Sequence, residues 1–274
     1  MIPLSIFNAT RWRGTATFKL CLLAVLAIAA LLAWSGGGAP ASLLHRPNAP
    51  TSNSIDNATT ASTNWSGYAT YQAAGPFTDA KGAWTQPAAT CPDRRAAYAS
   101  FWVGLDGYNS NTVEQIGTDS DCAGKGRPVY YAWYEMYPNP PVSVPVTVHP
   151  GDQMYAEVSA SGSTYTLTLT NLTTGATFTT QQTLAGAANS SAEWVAEAPS
   201  GCRGFRCTVL PLANFGTVNF SGSYTTASGH TGSISDSNWA NDRIIMVTNG
   251  GTIKALPSAL SPDGTAFSDT WNHQ

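Results

Sequence analysis

Through Ser163-Thr164-Tyr165-Thr166-Leu167-Thr168-Leu169-Thr170, Tyr and Leu alternate with threonine without a break. A period of two gives an extended strand one apolar and one polar face. Val142, Val144, Val146 and Val148 alternate in the same way ahead of the turn Pro150-Gly151-Asp152, and Thr173-Thr174-Gly175 punctuates the next hairpin. Ile244-Ile245-Met246-Val247 is unbroken and reads as a strand buried on both faces. After residue 41, apolar positions never recur at helical spacing for more than a turn or two, and the abundance of Thr, Ser, Val and Tyr favours strands. The pattern predicts an all-β domain, an antiparallel β-sandwich of two large curved sheets of the concanavalin A-like, lectin-like jelly-roll kind. A curved sheet with one open face makes a groove for an extended substrate.

The first 41 residues follow a different pattern. Arg11, Arg13 and Lys19 precede the apolar run Leu20 to Trp34, and Ser35-Gly36-Gly37-Gly38-Ala39-Pro40-Ala41 supplies small residues for cleavage after Ala41. The run is about 15 residues, short of the roughly 20 a spanning helix needs, so residues 1–41 read as a signal peptide, with an uncleaved anchor as the alternative. Either way the remainder is exported, and a secreted, extracellular protein is expected. Residues 42–62, rich in Ser, Thr, Asn, Pro and Ala, read as a disordered linker or a short propeptide. Residues 63–274 form one domain, long enough for a single large β core.

Charge and cysteines narrow the partners. Removing residues 1–41 takes away three basic and no acidic residues, so the 13 Lys plus Arg fall to ten against 16 Asp plus Glu, a net charge near −6. Without a basic patch, nucleic acid is not an expected partner. No later segment is apolar enough to span a bilayer, so no stable membrane association is expected after signal cleavage, and the domain is read as a monomer. Cys91, Cys122, Cys202 and Cys207 are an even set in an exported chain, which implies up to two disulfides. Three pairings are possible; the short loop from Cys202 to Cys207 favours a local bridge, leaving Cys91 with Cys122. No Cys-x-x-Cys or His-x-His spacing suggests zinc, and no cofactor is expected.

Candidate chemistry follows from strand parity. In Trp133-Tyr134-Glu135-Met136-Tyr137, Trp133, Glu135 and Tyr137 share one face. In Phe101-Trp102-Val103-Gly104-Leu105-Asp106, Phe101, Val103 and Leu105 form a core-like face with Trp102 and Asp106 opposite, so Trp102 and Trp133 look like groove walls. A single Trp or Tyr in a β protein is more often core filler, but an acid between two aromatics weakens that reading, because a buried unpaired carboxylate costs several kcal/mol. Glu193 and Glu197 share a face roughly 13 Å apart at about 3.3 Å per residue. One of them can be catalytic and the other an ordinary surface acid; periodicity does not choose.

Five segments in order resemble glutamic peptidase family G1, the eqolisins: Asn64-Trp65-Ser66-Gly67-Tyr68, Phe101 to Gly107, Glu114-Gln115-Ile116-Gly117, Trp133 to Pro138, and Ala192-Glu193-Trp194-Val195-Ala196-Glu197. The resemblance spans roughly residues 64 to 250. It implies two seven-stranded antiparallel sheets, a catalytic dyad of Gln115 and Glu197, a substrate groove lined by Trp65, Trp102, Trp133, Glu135 and Tyr137, and a short disulfide loop from Cys202 to Cys207. Two positions depart from the family pattern. Tyr131 stands where an acidic residue is usual, which would alter hydrogen bonding around Glu135, and Met136 replaces a Trp on the face away from the groove.

The resemblance and the residue chemistry agree on a secreted, acid-acting endopeptidase with polypeptide substrates. Ionised Glu197 would take a proton from water and pass it to the leaving amine. Gln115 would stabilise the oxyanion with an amide that does not titrate. Two rivals use the same groove: a glycoside hydrolase with Glu135 and Glu197 as its carboxylate pair, for which Gln115 is dispensable, and a non-catalytic carbohydrate-binding sandwich, for which Glu197 is. No Gly-x-Ser-x-Gly, His-Glu-x-x-His, Asp-Thr-Gly or Asp-Ser-Gly occurs. His45 falls in the linker and His273 next to the end, and His149 and His230 read as surface or turn residues.

Overall fold

A computed structural model describes residues 42–51, 59–92, 95–123, 126–204 and 206–274. The signal peptide expected over 1–41 lies outside the described residues. Among the described residues there are twenty strands and no helix. They are β1 (Ser42–Leu44), β2 (Thr59–Ser62), β3 (Trp65–Tyr71), β4 (Phe77–Thr85), β5 (Ala96–Ala97), β6 (Ser100–Leu105), β7 (Val113–Ala123), β8 (Pro128–Tyr137), β9 (Val142–Val144) and β10 (Gln153–Ser161). There follow β11 (Thr164–Asn171), β12 (Ala176–Thr183), β13 (Ser191–Glu197), β14 (Ser200–Arg203), β15 (Arg206–Val209), β16 (Thr217–Ala227), β17 (His230–Ser233), β18 (Ala240–Val247), β19 (Ile253–Pro257) and β20 (Phe267–Trp271).

Seven strands form one antiparallel layer in the order β9, β8, β7, β6, β13, β3, β18. The second layer runs β20, β16, β4, β10, β11, β12, with β17 as a hairpin partner of β16. Strand β19 pairs with both β18 and β20. The two sheets implied by the family resemblance are therefore two layers of one continuous ladder, turned at an edge. Among the named strands one pairing is parallel: β2 runs alongside β18, from Thr59 beside Arg243 to Ser62 beside Met246.

The strand periods place the core between the layers. Phe101, Val103 and Leu105 of β6, Ile116 of β7, Met136 of β8 and Trp194 of β13 meet Trp84, Met154, Val158, Leu167, Leu169 and Phe220 of the second layer. Each such side chain contributes roughly 1.5–3 kcal/mol when fully buried. Met136 lies in this core, on the face the alternation assigned to it. Val144, Val146 and Val148 are buried, whereas Val142 at the start of β9 is exposed. Disulfides join Cys91 to Cys122 and Cys202 to Cys207. The second bridge closes the hairpin of β14 and β15, to which β1 adds as a third strand.

The local polarity of Asn171-Leu172-Thr173, an Asn-x-Thr sequon, reads as surface, but Asn171 is fully buried, its side-chain amide donating to the Thr147 carbonyl and to Asp152 Oδ2. Residues 42–51, part of the stretch expected as a disordered linker or a short propeptide, pack on the domain: β1 pairs with β14, and the Asn48 and Thr51 amides donate to the carbonyls of Gly107 and Ala61.

Candidate active site

Strand register alone assembles the outer face of the first layer. Glu193, Gly104, Gln115 and Glu135 align in one row across β13, β6, β7 and β8. Val195, Trp102, Gly117 and Trp133 make the next row, and Glu197, Ser100, Asp119 and Tyr131 the third. Residues directly opposite on paired strands project to the same side, so Gln115 and Glu197 face one another diagonally across β6. Trp65 joins the third row beside Glu197 on β3.

Two glycines shape the floor between the pair. A Cβ on Gly117 would lie 2.5 Å from Trp102 Cβ and collide with the Phe101 carbonyl, and one on Gly104 would lie 3.0 Å from Trp102 Cζ3. Their absence lets the Trp102 indole lie along the sheet. Its Nε1 then donates to Glu197 Oε2 at 2.9 Å, and Trp65 packs edge-on against it at 4.9 Å.

Across this face runs the chain's own segment 43–49, and Trp65, Trp102, Trp133 and Glu135, expected as groove lining, are buried beneath it, with Tyr137 half-buried. Gln115 Nε2 donates to the His45 carbonyl oxygen at 2.7 Å, and the Arg46 N–H donates to Glu197 Oε1 at 3.1 Å. The two side chains thus grip opposite edges of a single peptide unit. Trp65 Nε1 donates to the Arg46 carbonyl at 2.9 Å, and Asn64 Nδ2 donates to the Arg46 and Pro47 carbonyls. Asn64 Oδ1 accepts from the Ala49 N–H at 2.9 Å, so one amide side chain holds three backbone groups.

The His45 ring stacks on Trp133 with centroids 3.6 Å apart and planes within 3°. Its Nδ1 meets Glu135 Oε2 at 2.9 Å, its Nε2 meets Ser100 Oγ at 3.1 Å, and Nε2 lies 3.8 Å from Asp119 Oδ1. Glu135 Oε2 also accepts from the His45 backbone N–H at 2.9 Å, and Asp119 Oδ1 from Trp133 Nε1 at 2.6 Å.

Electrostatics follow from burial. Burial alone would depress the His45 imidazole, but hydrogen bonds and negative charge from Asp119 and Glu135 outweigh it and raise the pKa to about 10. Burial pushes Glu197 up to about 8, against the pull of the His45 cation and the Trp102 N–H. Glu135 is likewise raised by burial, with His45 opposing. Gln115 Oε1 is buried with no hydrogen-bond partner among the described residues, which leaves its lone pairs for a water.

Strand parity put Glu135 with Trp133 and set Trp102 on the face opposite the core, and the family resemblance supplied Gln115 and Glu197; the structure brings all five to one face. Parity is common to Glu193 and Glu197. It did not choose between the two acids of β13, and the surface role for the second is corrected: Glu193 is wholly buried, and burial, then the charges of Asp106 and Glu114, raise its carboxyl well above the usual range. Its row lies at the far end of the face from the segment's Arg46 amide, which meets Glu197. Tyr131, the departure from the family pattern near Glu135, donates its hydroxyl to Asp121 Oδ2 at 2.9 Å. His45, set aside as a linker residue, is at the centre of the site. Ser100, Asp119 and Asn64 were also overlooked, although the same period of two that groups Gln115 with Gly117 extends to Asp119, and that of Trp102 extends to Ser100. Among the described residues no cluster of His, Cys, Asp and Glu could hold a metal ion.

Residues 63–264 match the family model described as the Peptidase A4 family. Aspergillopepsin-2 of Aspergillus niger is 35% identical over 147 residues, 50% of this chain and 49% of that protein, so the match spans about half the length of that curated relative. Scytalido-glutamic peptidase, solved with a transition state analog inhibitor, superposes with a TM-score of 0.66 at 25% identity, covering 77% of this chain and 98% of that one. SCP-B, described as a member of the Eqolisin family in complex with the tripeptide Ala-Ile-His, gives 0.64 at 25% identity over 77% and 98%. Aspergilloglutamic peptidase from Aspergillus niger gives 0.55 at 28% identity over 64% and 99%. Its fold, its five ordered motifs and a family match covering most of its length agree: this chain belongs to the Peptidase A4 family, the glutamic peptidases of the eqolisin type.

Proposed function

We propose that the protein is an exported, acid-acting endopeptidase in which Glu197 activates water and Gln115 stabilises the tetrahedral intermediate. The observation that carries this reading is the single peptide unit held at its carbonyl oxygen by Gln115 and at its N–H by Glu197. A peptide bond so held presents its carbonyl carbon between an oxyanion donor and a proton-transfer group. Water, held by Gln115 Oε1 and the Glu197 carboxylate, loses a proton to Glu197 as its oxygen adds to the carbonyl carbon. Gln115 Nε2 donates to the developing oxyanion. Glu197 then returns the proton to the amide nitrogen as the C–N bond breaks. Glu135, Trp133, Trp65, Trp102 and Tyr137 bind the polypeptide around this centre.

Acid activity fits the chemistry of the pair. The Gln115 amide keeps the same donor at any pH. Glu197 stands at about 8 while the segment excludes water; with the groove open to solvent its desolvation falls and it returns toward the reference near 4.3, so that it is ionised in mild acid. Export is supported by the N-terminal basic-then-apolar pattern and by the two disulfides. The test is digestion of an unfolded protein in acid by wild type, Glu197→Gln and Gln115→Ala. Both variants should lose at least about a hundredfold in rate, the usual loss for an oxyanion donor or a proton-transfer group; full cleavage by either would overturn the dyad.

A further inference from the structure

Outside the candidate active site, a cavity of about 870 Å³ lies between the β14–β15 hairpin and the ends of β18 and β19. Lys254 of β19 lines it, with only 6% of its surface exposed. A lysine buried to that degree is ordinarily paired with a carboxylate. Lys254 has no such pair among the described residues. Its one acceptor there is the Thr63 carbonyl, at a long 3.4 Å. An ammonium carries three N–H donors, so two remain. Burial, with no neighbouring charge to offset it, pushes the Lys254 amine down to about 8, and below that pH it is still a cation.

The rest of the lining has the same sign. Arg95 and His273 are the other cationic side chains on it, and among the described residues no Asp or Glu lines the cavity. Thr208 of β15, and Thr248 and Asn249 just after β18, add neutral donors. The Thr248 hydroxyl accepts from the Thr252 N–H at 3.1 Å, which leaves its own hydrogen to donate. Donors thus reach one space from β15, from the end of β18, from β19 and from the stretch after β20. That spread suits the oxygens of a tetrahedral oxyanion better than the two coplanar oxygens of a carboxylate. The volume is that of a small-molecule site, so there is room for the group that carries the anion. We propose that this cavity binds a phosphate or sulfate group, free or carried as an ester, with Lys254 as its central charge. Lysine serves phosphate as a point charge. The site backs onto the clasp described above: Thr63, whose carbonyl meets Lys254, precedes Asn64, which holds the Arg46 and Pro47 carbonyls.

The experiment titrates inorganic phosphate into the full chain at mildly acid pH by calorimetry, with sodium chloride of equal ionic strength as the control. Wild type should bind phosphate saturably at one site. Lys254→Met, which keeps the apolar stem and removes the charge, should bind it at least about tenfold more weakly, the loss expected for a hydrogen-bonded charge. A phosphoserine peptide run in parallel separates the sources: tighter binding than inorganic phosphate identifies an ester as the ligand, and equal or weaker binding the free ion. Independently of how the variant folds, acetylation of wild-type lysines near pH 8 is followed by mass spectrometry with and without phosphate. An anion that raises the Lys254 pKa by about one unit cuts its neutral fraction, and so its acetylation, about fivefold. Lys81, paired with Asp79 at 2.9 Å and Glu157 at 3.6 Å, should react at the same rate in both. Phosphate uptake that never saturates or is equal in wild type and Lys254→Met, or a Lys254 acetylated equally fast with and without phosphate, would overturn the inference. None of these measurements depends on peptidase activity, so their failure leaves the dyad reading intact.

Discussion

Trp102→Phe removes one N–H from Glu197 while keeping an aromatic ring against Trp65. The lost bond, Nε1 to Oε2 at 2.9 Å, is made to a charged group at a fully buried position. Hydrogen bonds to charged groups contribute roughly 1.5–3 kcal/mol, and one pKa unit corresponds to about 1.36 kcal/mol. The donor favours the carboxylate over the carboxyl, so its removal raises the Glu197 pKa by about one to two units. A general base works only when ionised, and the acid limb of the kcat/KM profile reports its pKa in the free enzyme. That limb should move up by the same one to two units. Below it the rate falls about 10- to 100-fold, and above it the rate changes little. The assay is kcat/KM for a fluorogenic peptide from strong acid to neutrality, with the opened enzyme. An unmoved limb, or one uniform loss at every pH, would show that Trp102 acts through packing and not through its N–H.

Glu114 is buried, and burial together with the Asp106 charge pushes its carboxyl up to about 9. A folded value above the unfolded one means that its neutral form supports the fold in acid, and that this support is lost as pH rises from about 4.5 to about 9; Glu114→Gln should flatten the decline in urea midpoint over that window, and an unchanged slope would contradict it. The Cys91–Cys122 bridge closes 31 residues and Cys202–Cys207 only five, so chain-entropy reasoning gives about 3.7 and 2 kcal/mol; paired Ala replacements compared by denaturation should lose more at the first bridge. Gly117→Ala forces its Cβ onto the Phe101 carbonyl and Trp102, and should cost at least about 1–3 kcal/mol as an overpacking change, together with most peptidase activity; a stable, fully active variant would refute the role given to the bare floor.

The sequence carried those features that depend on strand parity. Alternation separated Phe101, Val103 and Leu105 from Trp102, and the structure puts the first three in the core and Trp102 on the opposite face. It placed Glu135 on the same face as Trp133 and left Met136 to packing. What it did not carry is what covers a face. His45 sits in a stretch with no period, so only the fold reveals that its ring reaches Trp133. Glu193 reads as a surface acid by composition, and Asn171 as a surface sequon, because both judgements use local polarity while burial is set by segments distant in sequence. Ser100 and Asp119 were within reach of the period of two, had it been followed one row further.

Strand β1 is three residues long, yet its pairing has a bearing on how foreign polypeptides bind. Ser42, Leu43 and Leu44 lie opposite Cys202, Gly201 and Ser200 on the edge of the disulfide hairpin. On the peptidase reading, an extended chain that took the place of this strand would add to the same edge through main-chain N–H and C=O groups. Those groups belong to every amino acid, so tolerance for many sequences there would rest on a backbone ladder pinned by the Cys202–Cys207 bridge.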